Sequence, residues 1–199
     1  MKKKIGVVCL LVLAAVSLPA AEFILGPKVI LSEMNYRGSD LGAKNALSLS
    51  CAGGVFLDIQ LTSLVGIQSE VLINTYSLRY KSGSNDYNLR FNVLSLPLYA
   101  RFNFERSGLD MYVLGGARFD IRIVDRGHIT INDSVYYADV SDYNSLYIGA
   151  AGGAGMILPT QLGVFNIGIG AYYGFVRELD EYDWYHWDVE VQLSYGFSL

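Results

Sequence analysis

Polar and apolar residues alternate with a period of two along most of this chain. The pattern is cleanest from Trp187 to Leu199. There Trp187, Val189, Val191, Leu193, Tyr195, Phe197 and Leu199 are apolar or aromatic, and Asp188, Glu190, Gln192, Ser194, Gly196 and Ser198 are polar or Gly. Successive side chains of a strand point to opposite faces, so this stretch is a ribbon with one apolar and one wet face. It is long for a soluble strand and suits a strand crossing a bilayer at a tilt. The alternation recurs in Phe23–Ser32, Leu47–Ile59, Leu64–Tyr76, Leu89–Phe104, Leu109–Ile123, Leu146–Leu158 and Val164–Val176, which makes eight predicted strands. Pro27 lacks a ladder donor and predicts a bulge or a weakened pairing in the first of them.

The connections alternate in length. Glu33–Asn45, Ser77–Asn88, Val124–Ser145 and Arg177–Tyr185 are long and polar, whereas Gln60–Ser63, Glu105–Gly108 and Pro159–Gly163 are short. An even number of strands with short turns at one end and long loops at the other is the pattern of an outer-membrane barrel. The predicted fold is therefore all-β, an eight-stranded antiparallel up-and-down transmembrane β-barrel. Its last strand pairs with its first, because a bilayer tolerates no open sheet edge. Both strand termini then lie on the periplasmic side.

Composition agrees with this pattern. Hydrophobic residues make up 52% and charged residues 17%, yet after the first residues no apolar run reaches the roughly 20 residues of a spanning helix. The chain has 21 Gly and 15 Tyr, suited to a crowded interior and to membrane boundaries. Lys2, Lys3 and Lys4, the apolar Ile5–Val16 and the small residues to Ala21 predict a cleaved signal peptide over 1–21, leaving 22–199 as the barrel. Cys9 lies inside the apolar run, too early for a lipoprotein cleavage site. Without the three lysines the 15 basic residues fall to 12 against 19 acidic ones, a balance of −7, which argues against nucleic-acid binding. Cys51 is then alone, so no internal disulfide forms, and it is expected to face lipid.

The candidate chemistry lies on the inward faces. Lys28, Arg101, Arg118 and Arg122 share them with Asp58, Glu70, Asp120, Asp188 and Glu190. Charges in a narrow barrel must be paired or hydrated. An eight-stranded barrel leaves an interior about wide enough for side chains, so a salt-bridged, side-chain-filled lumen is favoured over a polar conduit or proton relay. The expected pairing is Glu70 with Arg101 or Arg118, and Lys28 is the expected neighbour of Asp188 and Glu190. His128 falls in the third long loop, and His186 faces inward. Sequence fixes no serine near His186, so a Ser–His–acid hydrolase is disfavoured. No close His, Cys and carboxylate spacing suggests a metal, and no cofactor is expected. Tyr36, Tyr76, Tyr147, Tyr173, Tyr185 and Trp187 are placed in an outer aromatic girdle, with Phe23, Phe102 and Phe165 in the inner one. Asp133, Asp139, Asp142, Tyr136, Tyr137 and Tyr143 mark the third loop. Glu178, Asp180, Glu181, Asp183, Tyr182, Trp184 and Tyr185 mark the fourth. Acid with aromatic side chains suits contact with a protein, a glycan or a divalent cation.

Residues 92–104, N-V-L-S-L-P-L-Y-A-R-F-N-F, resemble the L-E-I-P-L-L-L-K-Y-x-F strand of PorT-like outer membrane proteins of the β-barrel domain family. Ser95 stands for the family's Glu and Arg101 for its Lys. Ile67–Leu72 and Tyr112–Gly116 resemble the family's Q-P-E-L-L-Y and Y-L-L-A-G strands. Size and topology also resemble OmpA/OmpX-type eight-stranded barrels. The resemblance implies a bacterial outer-membrane fold, with outer-membrane lipids and the insertion machinery as partners, and it supplies no substrate. Tyr195, Phe197 and Leu199 are the expected insertion signal, although the family's usual terminal aromatic is replaced by Leu199. The leading function is a non-enzymatic structural or surface-interaction protein meeting an extracellular protein or glycan through its loops. A narrow porin-like channel and an outer-membrane lipid-modifying enzyme are the alternatives, with a soluble lipocalin-like carrier as the out-group.

Overall fold

The structure is a computed structural model and describes residues 22–37, 44–45, 48–82, 85–124, 126–132, 134–139, 144–176 and 185–199. These form eleven strands: β1 (Glu22–Arg37), β2 (Lys44–Asn45), β3 (Ser48–Gln60), β4 (Val65–Ser82), β5 (Asn85–Arg106), β6 (Leu109–Arg122), β7 (Arg126–Ile131), β8 (Ser134–Asp139), β9 (Leu146–Pro159), β10 (Val164–Gly174) and β11 (Tyr185–Ser198). Eight of them close a ring of antiparallel neighbours in the order β1, β3, β4, β5, β6, β9, β10, β11 and back to β1. The closing ladder runs from Ile24 opposite Ser198 to Arg37 opposite Tyr185. The signal segment expected over 1–21 lies outside the described residues.

The barrel is apolar outside and polar within. Val29, Leu31, Val55, Val71, Leu98, Ile169 and Val191 stand exposed on the outer wall. Lys28, Ser50, Gln68, Arg101, Asp120 and Gln192 are buried inside. A soluble lipocalin-like carrier would show the reverse, so the faces match a membrane barrel. Cys51 is on the outer face, as expected.

Three features depart from the strand boundaries read in sequence. The polar Glu33–Asn45 and Ser77–Asn88 were expected to be loops, but β1 runs on to Arg37, and β4 and β5 stay paired up to Ser82 opposite Asn85. Beyond the apolar belt the outward face meets water instead of lipid, so polar residues no longer signal a strand end. The longest expected loop, Val124–Ser145, contains the hairpin β7–β8, whose β7 pairs with the outer half of β5 from Arg90 opposite His128 to Tyr87 opposite Ile131. Asn132 turns it with φ of 45°, a conformation Asn adopts readily. Ser107 and Gly108, both at positive φ, close the two-residue turn between β5 and β6.

The in-strand prolines act without shifting register. Along β1 and β11 pairing skips from Leu25–Phe197 to Lys28–Ser194, leaving Gly26 and Pro27 unladdered on that side, while the β1–β3 ladder is continuous. Pro97 has the same effect on β4–β5, which skips from Ser69–Leu98 to Leu72–Ser95. Each proline lacks one donor and opens one side of its strand. Of the two outcomes expected at Pro27, weakened pairing is the one observed.

Candidate functional site

The lumen holds the side chains singled out in sequence. Lys28, Asp58, Glu70, Arg101, Arg118, Asp120, Asp188 and Glu190 are all buried, and Arg122 is half-buried at the outer end of β6. They come inward because each lies on the polar parity of its strand.

The layer nearest the short turns is built on Arg101. Its Nη1 lies 3.2 Å from Asp58 Oδ2 and donates to Gln68 Oε1 at 2.8 Å. Its Nε donates to Asn103 Oδ1 at 2.9 Å, and its guanidinium lies over the Tyr112 ring at 4.3 Å. Above it, Lys28 Nζ and Gln68 Nε2 both donate to Glu70 Oε1 at 2.5 Å.

Arg118 is the hub of the next layer. Its Nε donates to both oxygens of Asp120 at 3.0 Å, and its Nη1 meets Glu190 Oε1 at 2.8 Å and Asp188 Oδ2 at 3.4 Å. The guanidinium lies over Tyr172 at 4.3 Å, and Gln192 Nε2 donates to Glu190 Oε2 at 2.7 Å. A planar fork of donors is the group suited to sharing among several carboxylates while stacking on a ring.

Toward the loop end, Tyr76 Oη donates to Asp120 Oδ2 at 2.5 Å and meets His186 Nε2 at 2.9 Å. The His186 ring packs against Tyr76 at 4.9 Å and Tyr172 at 4.8 Å between centroids. Met34, Tyr76, Leu89, Phe91, Val93 and Tyr147 form a buried apolar cluster over this layer, with Val124 and Ile129 packed against it.

Glycines on β9 and β10 make room for these large groups. A Cβ at Gly155 would stand 2.6 Å from Tyr112 Cζ, one at Gly149 2.6 Å from Tyr172 Cε2, and one at Gly170 2.5 Å from Gln192 Nε2. This part of the wall is stripped of side chains so that bulky ones from the same and neighbouring strands fold over it and fill the bore.

Two expected pairings are corrected. Glu70 pairs with Lys28, not with Arg101 or Arg118. Lys28 lies opposite Gly54 on β3, and with no side chain there the lysine reaches across to β4. Asp188 and Glu190 meet Arg118 rather than Lys28. Register explains this, since Lys28 sits opposite Ser194 while Glu190 faces Ser32. Arg118 itself lies opposite Gly149, and Gly149 opposite Gly174, so the guanidinium crosses two bare positions to reach β11.

The outer girdle is also corrected. Tyr76 and Tyr147 are fully buried in the lumen, because they share parity with Asn74 and Gly149. Tyr173, Trp187 and Phe102 are exposed outward, and Tyr185, Phe23 and Phe165 are half-buried. The side chain of Tyr36 lies outside the described residues.

His128 is on the exposed face of β7 with its ring 5.1 Å from that of Tyr137. Val135, Tyr136 and Tyr137 stand exposed on β8, Tyr137 at 80%, and Asp139 is exposed beside them. Asp133, Asp142, Tyr143, Glu178, Asp180, Glu181, Tyr182, Asp183 and Trp184 lie outside the described residues. On β11, Tyr195 stacks edge-on with Phe197 at 5.0 Å, and Leu199 N donates to Phe23 O at 2.9 Å. Among the described residues no group of three His, Cys, Asp or Glu is placed to hold a metal ion.

Comparison with known proteins follows the same lines. Residues 29–198 match the family model described as outer membrane protein beta-barrel domain. No curated protein matches. Among solved structures, Neisserial surface protein A is 14% identical, with 89% of this chain and 99% of that one covered and a TM-score of 0.49. Ail, the attachment invasion locus protein of Yersinia pestis, is 12% identical over 88% of this chain and 99% of its own, with a TM-score of 0.44. The N-terminal β-barrel domain of Pseudomonas aeruginosa OprF is 17% identical over 85% and 97%, with a TM-score of 0.34.

Proposed function

The chain belongs to the outer membrane protein β-barrel domain family of the bacterial outer membrane, and on that premise we propose that it is a non-enzymatic barrel with a side-chain-filled lumen, acting through its outer surface. The observation that carries this reading is the Arg118 layer under the Met34–Tyr147 cluster. Ion pairs and rings reach across the bore there from both walls. A narrow porin-like channel would need a hydrated path through those layers.

The same geometry disfavours a lipid-modifying enzyme. His186 is sealed from solvent among Tyr76, Tyr147 and Tyr172, where no lipid carbonyl reaches it. The hairpin β7–β8 instead offers Val135, Tyr136 and Tyr137 outward at the loop end. Exposed aromatic residues there suit contact with an extracellular protein or glycan. The outward Tyr195–Phe197 pair at the opposite end of β11 is the surface offered to the insertion machinery.

Proteoliposomes test the reading. With the purified protein they should swell in small sugars no faster than empty liposomes. Outer-membrane lipids from cells with and without the protein should be the same. Sugar-driven swelling would favour the channel, and an altered acyl or headgroup pattern would favour the enzyme.

A further inference from the structure

A basic groove lies on the outer wall at the loop end, just beyond the apolar belt. It is a depression of about 470 Å³ between β4, β5 and β7. Arg90, Arg126 and His128 line it together with Thr75, Asn92 and Thr130. Register makes this one continuous face. Thr75 is opposite Asn92 and Arg90 is opposite His128. Asn92 and Arg126 each lie two residues from one of that second pair, which puts them on the same side of their strands. Arg90, Arg126 and His128 are exposed.

Two features single this groove out. The first is its charge, because the chain as a whole is acidic at −4 and three of its other cations, Lys28, Arg101 and Arg118, are tied up inside the lumen. The second is its height. Ile73 and Ile121 stand exposed one step toward the membrane, both opposite Leu94, and the exposed Ile123 lies level with Asn92 on the adjacent strand, its N donating to Asn92 O at 3.4 Å. With short turns on the periplasmic side, this level is that of the outer-leaflet headgroups.

We propose that this groove binds the phosphate of an outer-leaflet lipid, the acyl chains lying on the isoleucines below. Guanidinium groups and hydroxyls are the donors a phosphate dianion takes. A basic pocket at a membrane boundary is where headgroups bind. Asp139 faces Arg126 across β7–β8, and the Tyr137 ring covers one side of His128. The groove keeps a net positive charge with Asp139 counted, since two guanidinium groups face one carboxylate. The site depends on the membrane placement of the barrel and not on whether the lumen is closed.

The test is lipid binding to the full barrel in detergent micelles, read by native mass spectrometry. The probes are bis-phosphorylated lipid A, the same lipid after dephosphorylation, inorganic phosphate and a sulfated oligosaccharide. Each arginine at such a surface contributes about fivefold, so R90Q/R126Q should weaken binding of bis-phosphorylated lipid A about 25-fold. R106Q, at an exposed arginine that ends β5 beside the periplasmic turn, should leave it unchanged. Wild-type protein should prefer the phosphorylated lipid over the dephosphorylated one, and added salt should erode that preference. These two wild-type readings carry the test if the double variant does not fold, as judged by heat-modifiable gel migration. Equal binding of both lipids, or unchanged binding by folded R90Q/R126Q, would overturn the site. Displacement of the lipid by low-millimolar inorganic phosphate would assign the groove to a soluble anion instead. Tighter binding of the sulfated oligosaccharide would assign it to a glycan.

Discussion

Lys28 and Glu70 stand on strands separated by β3, and the bare Gly54 between them lets the ammonium reach the carboxylate. Their burial sets what each loss costs. Lys28→Met leaves a carboxylate inside the barrel with only Gln68 Nε2 on its Oε1, and removing one partner of a buried pair costs about 3–5 kcal/mol. Removing both partners as Lys28→Met/Glu70→Met should recover most of that loss, because no charge is then stranded. Urea titrations of folding into micelles measure both, and additive losses would mean that the two residues do not interact. At this scale the parity of each strand was legible in the sequence, and with it the inward set from Lys28 to Glu190. The partners were not. Which carboxylate an arginine reaches depends on barrel register and on the glycines beside it, neither of which alternation encodes. The same limit applies to Tyr76 and Tyr147, whose aromatic identity and position near a strand end suggest the girdle although their parity points inward.

At the scale of the element, β11 carries the alternation in its purest form. Val189, Val191 and Leu193 face out, and Asp188, Glu190 and Gln192 face in. Val191 is half exposed near the middle of the strand, at 50%. Val191→Arg should cost about 2–4 kcal/mol of folding free energy in the bilayer, the range for a basic residue on the lipid face near the midplane. Folding yield into lipid vesicles checks this, and a yield equal to wild type would mean that this face does not meet lipid. Strands were legible where one face met lipid and the other met the lumen. The outer parts of β4 and β5 and β7–β8 were not, because beyond the belt the outward face meets water instead of lipid and the period of two loses its contrast. The proline positions were legible as weak points, since a missing donor acts the same way in any register.

For the whole molecule, the ring of eight strands follows from the period-two alternation together with the connection lengths: short turns, long loops and an even count. The filling of the ring follows from volume. Tyr99, Tyr112, Arg101 and Arg118 enter from β5 and β6 and Tyr172 from β10, and glycines of β9 and β10 leave room for several of them. Polar atoms that line a conduit would be left free to hydrate ions, whereas here Arg118 is shared among Asp120, Asp188 and Glu190, with Tyr76 bonded above Asp120. Planar-bilayer recording of the purified wild-type barrel is the most direct measurement of that difference. A side-chain-filled lumen predicts a flat baseline under applied voltage after insertion has been verified by heat-modifiable migration. Steady, reproducible single-channel steps from the wild-type protein would contradict it.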